Sequence, residues 1–251
     1  MIEVTCPSGL QGRIRGMKVK DEQLFINRKL GVSGRVIAEL LRSVWQETTD
    51  PGPYNFPEGV VDWDQVLSSD RTYILIQLRI ASYGADYEFR VTCGSCRKMF
   101  GWGVNLDDDI DVVPVSEQGL HAVKTGEPIS VTLHDGRVAK CRLMRGEDDS
   151  FLATLGTKDE AKIMTYHLAR RIVELDGRHR FKEIVALVED MEAIVGDRLW
   201  DATDELEGGV ETMFDVECPT CGNVQQVLLP FGAEFFSSRK RYVRSKTRKA
   251  G

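Results

Sequence analysis

Phe89-Arg-Val-Thr-Cys-Gly-Ser-Cys96 and Phe214-Asp-Val-Glu-Cys-Pro-Thr-Cys221 align without a gap although more than a hundred residues separate them. Each Cys-x-x-Cys follows a strand-like run, Tyr87 to Thr92 in the first copy and Phe214 to Glu217 in the second. Apolar residues resume soon after each: Phe100, Trp102 and Val104, then Val224, Val227 and Leu229. A strand, a tight turn carrying two thiols and a returning strand make one half of a zinc ribbon. Two halves supply the four thiolates of a closed, tetrahedral structural Zn²⁺ site, in which neighbouring cysteines bind one ion at ~2.3 Å. Cys93, Cys96, Cys218 and Cys221 are therefore the expected metal ligands, and the two segments are expected to meet in space.

Other uses of paired cysteines fit less well. A redox dithiol opens a helix, whose N-terminus depresses one thiol pKa, and no helical pattern follows either pair. Disulfides are a further possibility, but the sequence starts without an apolar signal segment, and Cys6 and Cys141 have no comparable context. The separation between the pairs exceeds that of ordinary zinc fingers. Four thiolates would leave no open position for a water, so the expected ion is structural.

The 251 residues and their 42% hydrophobic content allow one large domain or two small ones with a real core. No apolar run reaches the ~18–20 residues that span a bilayer, so a soluble protein made in a reducing cytoplasm, without membrane contact, is expected. The formal charge of −6 hides an asymmetry. From Arg239 onward come seven basic residues and no acid, which leaves about −13 on the preceding body. Such a tail points to docking on an acidic surface, or else to a solvated terminus.

The pattern predicts an α+β chain: a split zinc ribbon with helical elements inserted between its halves and additional β-hairpins. Residues 1–32 read as an N-terminal hairpin and connection, with a turn at Cys6-Pro-Ser-Gly9. Residues 33–84 read as a helical segment. Ser33 is the expected N-cap of a helix with Val36, Ile37, Leu40, Leu41, Val44 and Trp45 on one face, and a second helix runs from about Asp70 to Tyr83 before Gly84. The ribbon halves occupy 85–106 and 210–232. Between them lie a hairpin segment, 107–146, and a helical insertion, 147–209. In the first, Asp135-Gly136 favours a type I′ turn, and Cys141 reads as a buried strand residue. In the second, Thr157 is the expected cap of a helix carrying Ile163, Met164, Leu168, Ile172 and Val173 that ends near Gly177. The aromatic and basic tail is 233–251.

Asp107-Asp-Asp-Ile-Asp111 lacks the glycine and distal glutamate of an EF-hand and reads as a solvated connection. His121, His134, His167 and His179 have no acid or nucleophile at a recognisable spacing, and there is no His-Glu-x-x-His, nucleophile elbow or phosphate loop. No enzyme is expected.

Several segments together resemble the baseplate hub family of T-even-type contractile bacteriophages, which includes hub assembly chaperones of phage-like injection systems. The segments are Leu10-Gln-Gly-Arg-Ile-Arg-Gly-Met-Lys-Val19, Asp70-Arg-Thr-Tyr-Ile-Leu-Ile-Gln-Leu-Arg-Ile-Ala-Ser-Tyr-Gly84 with the first Cys-x-x-Cys close behind, and Cys218-Pro-Thr-Cys-Gly222 before Leu229-Pro230 and Phe235-Phe236. The resemblance implies a non-enzymatic hub component or assembly factor. It would be assembled in the host cytoplasm, be retained in the virion tail baseplate, and have other baseplate or tail hub proteins as partners. Phe235, Phe236, Arg239, Lys240, Arg241 and Arg244 are the expected partner-binding residues, with the aromatics anchoring and the charges steering. The alternative is a zinc-ribbon nucleic-acid binder using the basic tail on phosphates; the acidic body argues against it.

Overall fold

The computed structural model describes residues 1–155, 160–232 and 234–237. The N-terminal hairpin pairs β1 (Ile2–Thr5) with β2 (Gln11–Ile14). Two short helices follow, α1 (Val19–Glu22) and α2 (Arg28–Val32), then α3 (Val36–Val44) and β3 (Trp45–Asp50). β3 adds to β2 to complete a three-stranded antiparallel sheet. The long α4 (Ser68–Tyr83) leads into the first knuckle hairpin, β4 (Asp86–Thr92) and β5 (Met99–Asn105). After β6 (Val112–Val113) and α5 (Glu117–Thr125), strands β7 (Ile129–Thr132) and β8 (Val138–Cys141) form a hairpin. Helices α6 (Gly146–Leu155) and α7 (Glu160–Arg171) precede β9 (Ile172–Leu175), which pairs with β8. Helices α8 (Phe181–Glu189) and α9 (Ala193–Glu207) return the chain to β10 (Gly209–Val210), which pairs with β6. The second knuckle hairpin, β11 (Met213–Glu217) and β12 (Val224–Leu228), comes last.

Two apolar cores result. The first gathers Leu10, Ile14, Leu40, Leu41, Ile74 and Leu78 with Tyr87, Phe89, Val216, Phe235 and Phe236, and so unites the N-terminal sheet, α3, α4 and both knuckle hairpins. The second gathers Ile129, Leu133, Cys141, Leu143, Leu175, Ile184 and Leu199 from β7–β9 and the helices over them. Cys141 is thus the buried strand residue its context suggested. Where α4 passes between the N-terminal and helical segments, the Arg71 guanidinium is buried beside Asp149 at 3.0 Å. A Cβ on Gly146 would lie 2.0 Å from Arg71 Nη1 and 2.1 Å from the Trp63 carbonyl oxygen, so only glycine leaves room for that buried cation.

Several local expectations are corrected. Ser33 closes α2 instead of opening α3; its hydroxyl donates to the Leu30 carbonyl, and Arg35 stands before Val36 without a side-chain cap. Trp45 leaves the helix and starts β3, with its ring over Gly12, where a Cβ would sit 2.2 Å from it. Ile172 and Val173 do not continue α7. These β-branched residues extend into β9, because β8 offers a free edge, and Asp176 and Gly177 turn the chain there with φ of 52° and 72°. The Asp135-Gly136 turn is not type I′, which needs positive φ at both central residues. Gly136 has φ 85° and Asp135 is not among the positive-φ residues, while Gly136 N–H donates to the Leu133 carbonyl and Leu133 N–H to that of Arg137. This is a three-residue loop with a glycine bulge. The segments expected to be purely hairpin or purely helical also hold α5 and β3. Thr157 lies outside the described residues, as do Arg239, Lys240, Arg241 and Arg244.

Phe235 and Phe236 are 0% and 2% exposed. Phe235 packs edge-on against Tyr87 at 4.9 Å, and Phe236 stacks on Phe25 at 5.1 Å. Both rings therefore pack within the chain's own first core.

Candidate metal centre

The two knuckles are built alike. In each hairpin the last ladder pair, Thr92 with Met99 and Glu217 with Val224, is followed by a six-residue excursion. Cys93 N–H donates to the Lys98 carbonyl at 2.9 Å, and Cys218 N–H to the Asn223 carbonyl at 2.9 Å. Arg97 N–H donates to the Cys93 carbonyl and Gly222 N–H to that of Cys218. The residue after each second cysteine adopts the left-handed conformation, with φ 61° at Arg97 and 69° at Gly222. Glycine takes that conformation freely, whereas arginine pays for its Cβ. The matching sequences thus fold into matching geometry, down to a strained residue in one copy that the other relieves.

No backbone ladder joins the hairpins. Side chains do: Gln225 Oε1 accepts from Gly94 N–H at 2.7 Å while its Nε2 donates to the Thr92 carbonyl at 3.1 Å. Tyr87 Oη donates to the Pro230 carbonyl at 3.4 Å. This clasp was not visible in the sequence, because a glutamine in an alternating strand carries no mark of its partner.

The clasp sets the sulfurs crosswise. Cys93 Sγ lies 3.7 Å from Cys221 Sγ, and Cys96 Sγ lies 3.8 Å from Cys218 Sγ. All four lie within 4.8 Å of one another. Four sulfurs bound at ~2.3 Å around one tetrahedral ion would stand roughly 3.8 Å apart. The crosswise pairs match that edge and are far beyond the ~2.05 Å of a disulfide. Cys93 and Cys218 are buried, Cys96 is half-buried and Cys221 faces solvent at the rim.

The electrostatics fit the same donor set. The Cys96 N–H lies 3.5 Å from Cys93 Sγ and is the main cause that brings the Cys93 thiol down to about 6. Burial opposes ionisation of Cys218, yet the N–H groups of Thr220 and Cys221 carry its pKa below the usual thiol range. Cys221 goes the other way, to about 11: the Asn223 N–H favours its thiolate, but the sulfurs of Cys96, Cys218 and Cys93 crowd it. Backbone N–H groups thus favour thiolates at Cys93 and Cys218, whereas the neighbouring sulfurs and burial favour the thiol of Cys221, which a cation among the sulfurs would reverse.

The profile of the T4 bacteriophage base plate protein family matches residues 1–237. The chain belongs to that family. The match takes in both knuckles and the Phe235-Phe236 anchor and stops before the basic tail. No curated protein and no solved structure matches the chain. Membership in this base plate family supports a structural role in the phage baseplate, with other baseplate proteins as neighbours. No helix among the described residues is long and apolar enough to cross a membrane.

Buried polar centres form a second set of residues in this base plate protein. Asp70, fully buried at the start of α4, accepts from Ser8 N–H at 3.0 Å, from the Ser8 hydroxyl and from Tyr54 Oη at 2.6 Å. Burial raises its pKa against those hydrogen bonds. Arg171, 2% exposed, donates to Glu207 at 2.6 Å and Asp204 at 2.8 Å and lies over the Trp200 ring. His167, between Arg171 and Trp200, is driven down to about 4 by burial and then by the arginine charge. Asp148, also fully buried, accepts from Arg142 and Arg170. The adjacent charges Asp70-Arg71 at a helix start were the signal available in the sequence. The partners of Arg171 and Asp148 carried none.

Proposed function

We propose that this base plate protein is a non-enzymatic component or assembly factor of a contractile phage tail baseplate hub, stapled by one structural Zn²⁺. The observation that carries the zinc reading is the crosswise sulfur geometry of Cys93, Cys96, Cys218 and Cys221, whose edges suit a tetrahedral ion. A closed thiolate site favours zinc among first-row divalent ions and leaves no position for a substrate. Bound there, the ion would hold both halves of a split ribbon and so fix the surface that the first core presents to neighbouring baseplate proteins. The cationic side chains of Arg239, Lys240, Arg241 and Arg244 are proposed to steer the chain onto an acidic neighbour, and Phe235 and Phe236 to tether that segment from inside the core.

Native mass spectrometry of the purified chain tests the metal: one zinc per chain is expected, and a folded chain without metal overturns the staple. Mass spectrometry of purified phage particles tests the role. Presence in finished particles identifies a hub component, and presence only in assembly complexes identifies an assembly factor. Absence from both overturns the baseplate hub reading.

A further inference from the structure

The surface of the first core carries two faces of opposite charge, each combined with exposed apolar side chains. One is the segment 18–32. Lys18, Lys20, Arg28 and Lys29 are all exposed there, and among the described residues none of them forms an ion pair. Beside them Val19, Ile26 and Val32 are 74%, 83% and 70% exposed. Of the two acids in the segment, Asp21 is buried against Arg15 and Ser43, and Glu22 accepts from Tyr83. With Asp21 offset by Arg15, the face carries four exposed bases against the one remaining carboxylate of Glu22, on a chain of net negative charge. Phe236, stacked on Phe25 of this same segment, brings the end of the described chain to its side, from where the sequence continues into seven further bases.

The other face is formed by residues 107–117 and 209–217, joined through the β6–β10 ladder. Together these segments hold Asp107, Asp108, Asp109, Asp111, Glu117, Glu211, Asp215 and Glu217, and no lysine or arginine. Val112, Val113 and Met213 are roughly half exposed among them. Exposed valines in a two-residue ladder contribute little to their own core, and a row of acids without bases repels itself; both costs are lifted by a partner with the opposite pattern.

The two faces centre on opposite ends of α4, although the acidic one begins beside the C-terminal end, where Leu106 N–H donates to the Ala85 carbonyl. Segment 18–32 is tied to the C-terminal end of α4, by Met17 N–H on Ser82 Oγ and Tyr83 Oη on Glu22. The β6–β10 ladder lies at its N-terminal end, where the Cβ position of Gly209 is 3.3 Å from the Ser69 side chain. A helix of 16 residues separates these ends by about 24 Å.

We infer that copies of this chain bind one another head to tail, the basic apolar face of residues 18–32 of one copy seating on the acidic apolar face of residues 107–117 and 209–217 of the next. Such a heterologous contact uses different surfaces on its two sides and generates a ring where its rotation closes. The contact is independent of the zinc and of the hub reading.

Sedimentation velocity of the full chain across a concentration series tests it. The weight-average mass is expected to rise with concentration at low salt, with affinity falling roughly tenfold or more at high salt. Two full-length variants separate the faces. The triple change Lys20→Glu, Arg28→Glu and Lys29→Glu reverses the basic face and leaves the C-terminal bases in place; Asp108→Lys, Asp111→Lys and Asp215→Lys reverses the acidic face. All six side chains are exposed, and unchanged thermal melts would show that both variants fold. Each variant alone is expected to stay monomeric, and an equimolar mixture to associate, because one native face of each type remains in the pair. A native chain that stays monomeric at every concentration and salt overturns the contact. So does a basic-face variant that still self-associates, since the C-terminal bases would then be responsible. A short DNA duplex that binds the native chain but not the basic-face variant, with the protein otherwise monomeric, would reassign the face to nucleic acid.

Discussion

In the first core, hairpins β4–β5 and β11–β12 share no ladder, and Gln225, Tyr87 and four converging sulfurs bring them together. In the second core, β8 binds β9 directly, and ion pairs finish the closure, with buried Arg171 on Glu207 and Asp204 and with half-buried Arg142 and Arg170 on buried Asp148. On the proposed zinc reading, one region draws its cross-link from outside the chain, and the other carries both charges of every link in its own sequence. Sulfur closure would then depend on metal supply, whereas the ion-pair closure depends only on folding. Their responses to the same perturbations should differ accordingly.

The largest effect is expected from Cys218→Ser. It leaves three thiolates and couples lost metal affinity to lost structure, at a cost above about 4 kcal/mol. Chemical denaturation with parallel zinc analysis checks it, and a strong chelator should reproduce the loss in the native chain. An unchanged midpoint together with zinc-free protein would remove the contrast between the two cores. Next comes Arg171→Met, which strands the buried Glu207 carboxylate. Roughly 3–5 kcal/mol should be lost, because breaking one partner of a buried pair leaves the other charge uncompensated. Zinc content should stay at one per chain, and a variant that also sheds metal would show that the cores are not separable.

These two outcomes bear on what the sequence disclosed. The four cysteines, their strand flanks and the α+β mixture were legible because a metal knuckle imposes residue type and spacing locally. The N-terminal hairpin, α4 and the β7–β8 pair were legible through alternation and helical period. Strands β3 and β9 were not. Trp45, Ile172 and Val173 extend preceding apolar helical patterns, and an open strand edge elsewhere in the chain decides against the helix. The buried ion pairs were hidden for a similar reason. Arg171 looks like any basic residue at a helix C-terminus until α9 delivers Asp204 and Glu207 to it. Phe235 and Phe236 next to a basic run read as an anchor, and only the folded positions of Tyr87 and Phe25 show which rings they pack on.

A pH titration sharpens the contrast further. Burial alone would raise Asp21, but hydrogen bonds from Arg15, the Lys18 N–H and Ser43 hold it at about 2. Its folded pKa lies below the unfolded value, so its contribution is complete above the ordinary carboxylate range and is lost as pH falls from about 4 towards 2. That contribution is about 2 kcal/mol, and Arg15→Met should flatten the stability profile in this window. Glu207 behaves oppositely: burial raises it despite Arg171, so acid favours its native form until both states are protonated. A profile with equal slope in native and Arg15→Met protein would contradict the Asp21 assignment.

The smallest effect distinguishes the two knuckles themselves. Arg97→Gly should relieve the left-handed residue that Gly222 already accommodates. The expected gain is at most about 1 kcal/mol, after the extra freedom of glycine in the unfolded chain is subtracted. Gly222→Ala should cost a similar amount, with zinc stoichiometry unchanged in both.

The crosswise sulfur pairs join residues 122 and 128 positions apart. On the ribosome, at ~5–20 residues per second, the first knuckle therefore waits roughly ten seconds for its complement. Nearly all of the second core is synthesised within that interval, so the meeting of the two knuckles is a late, long-range event that must close around a part of the chain already made.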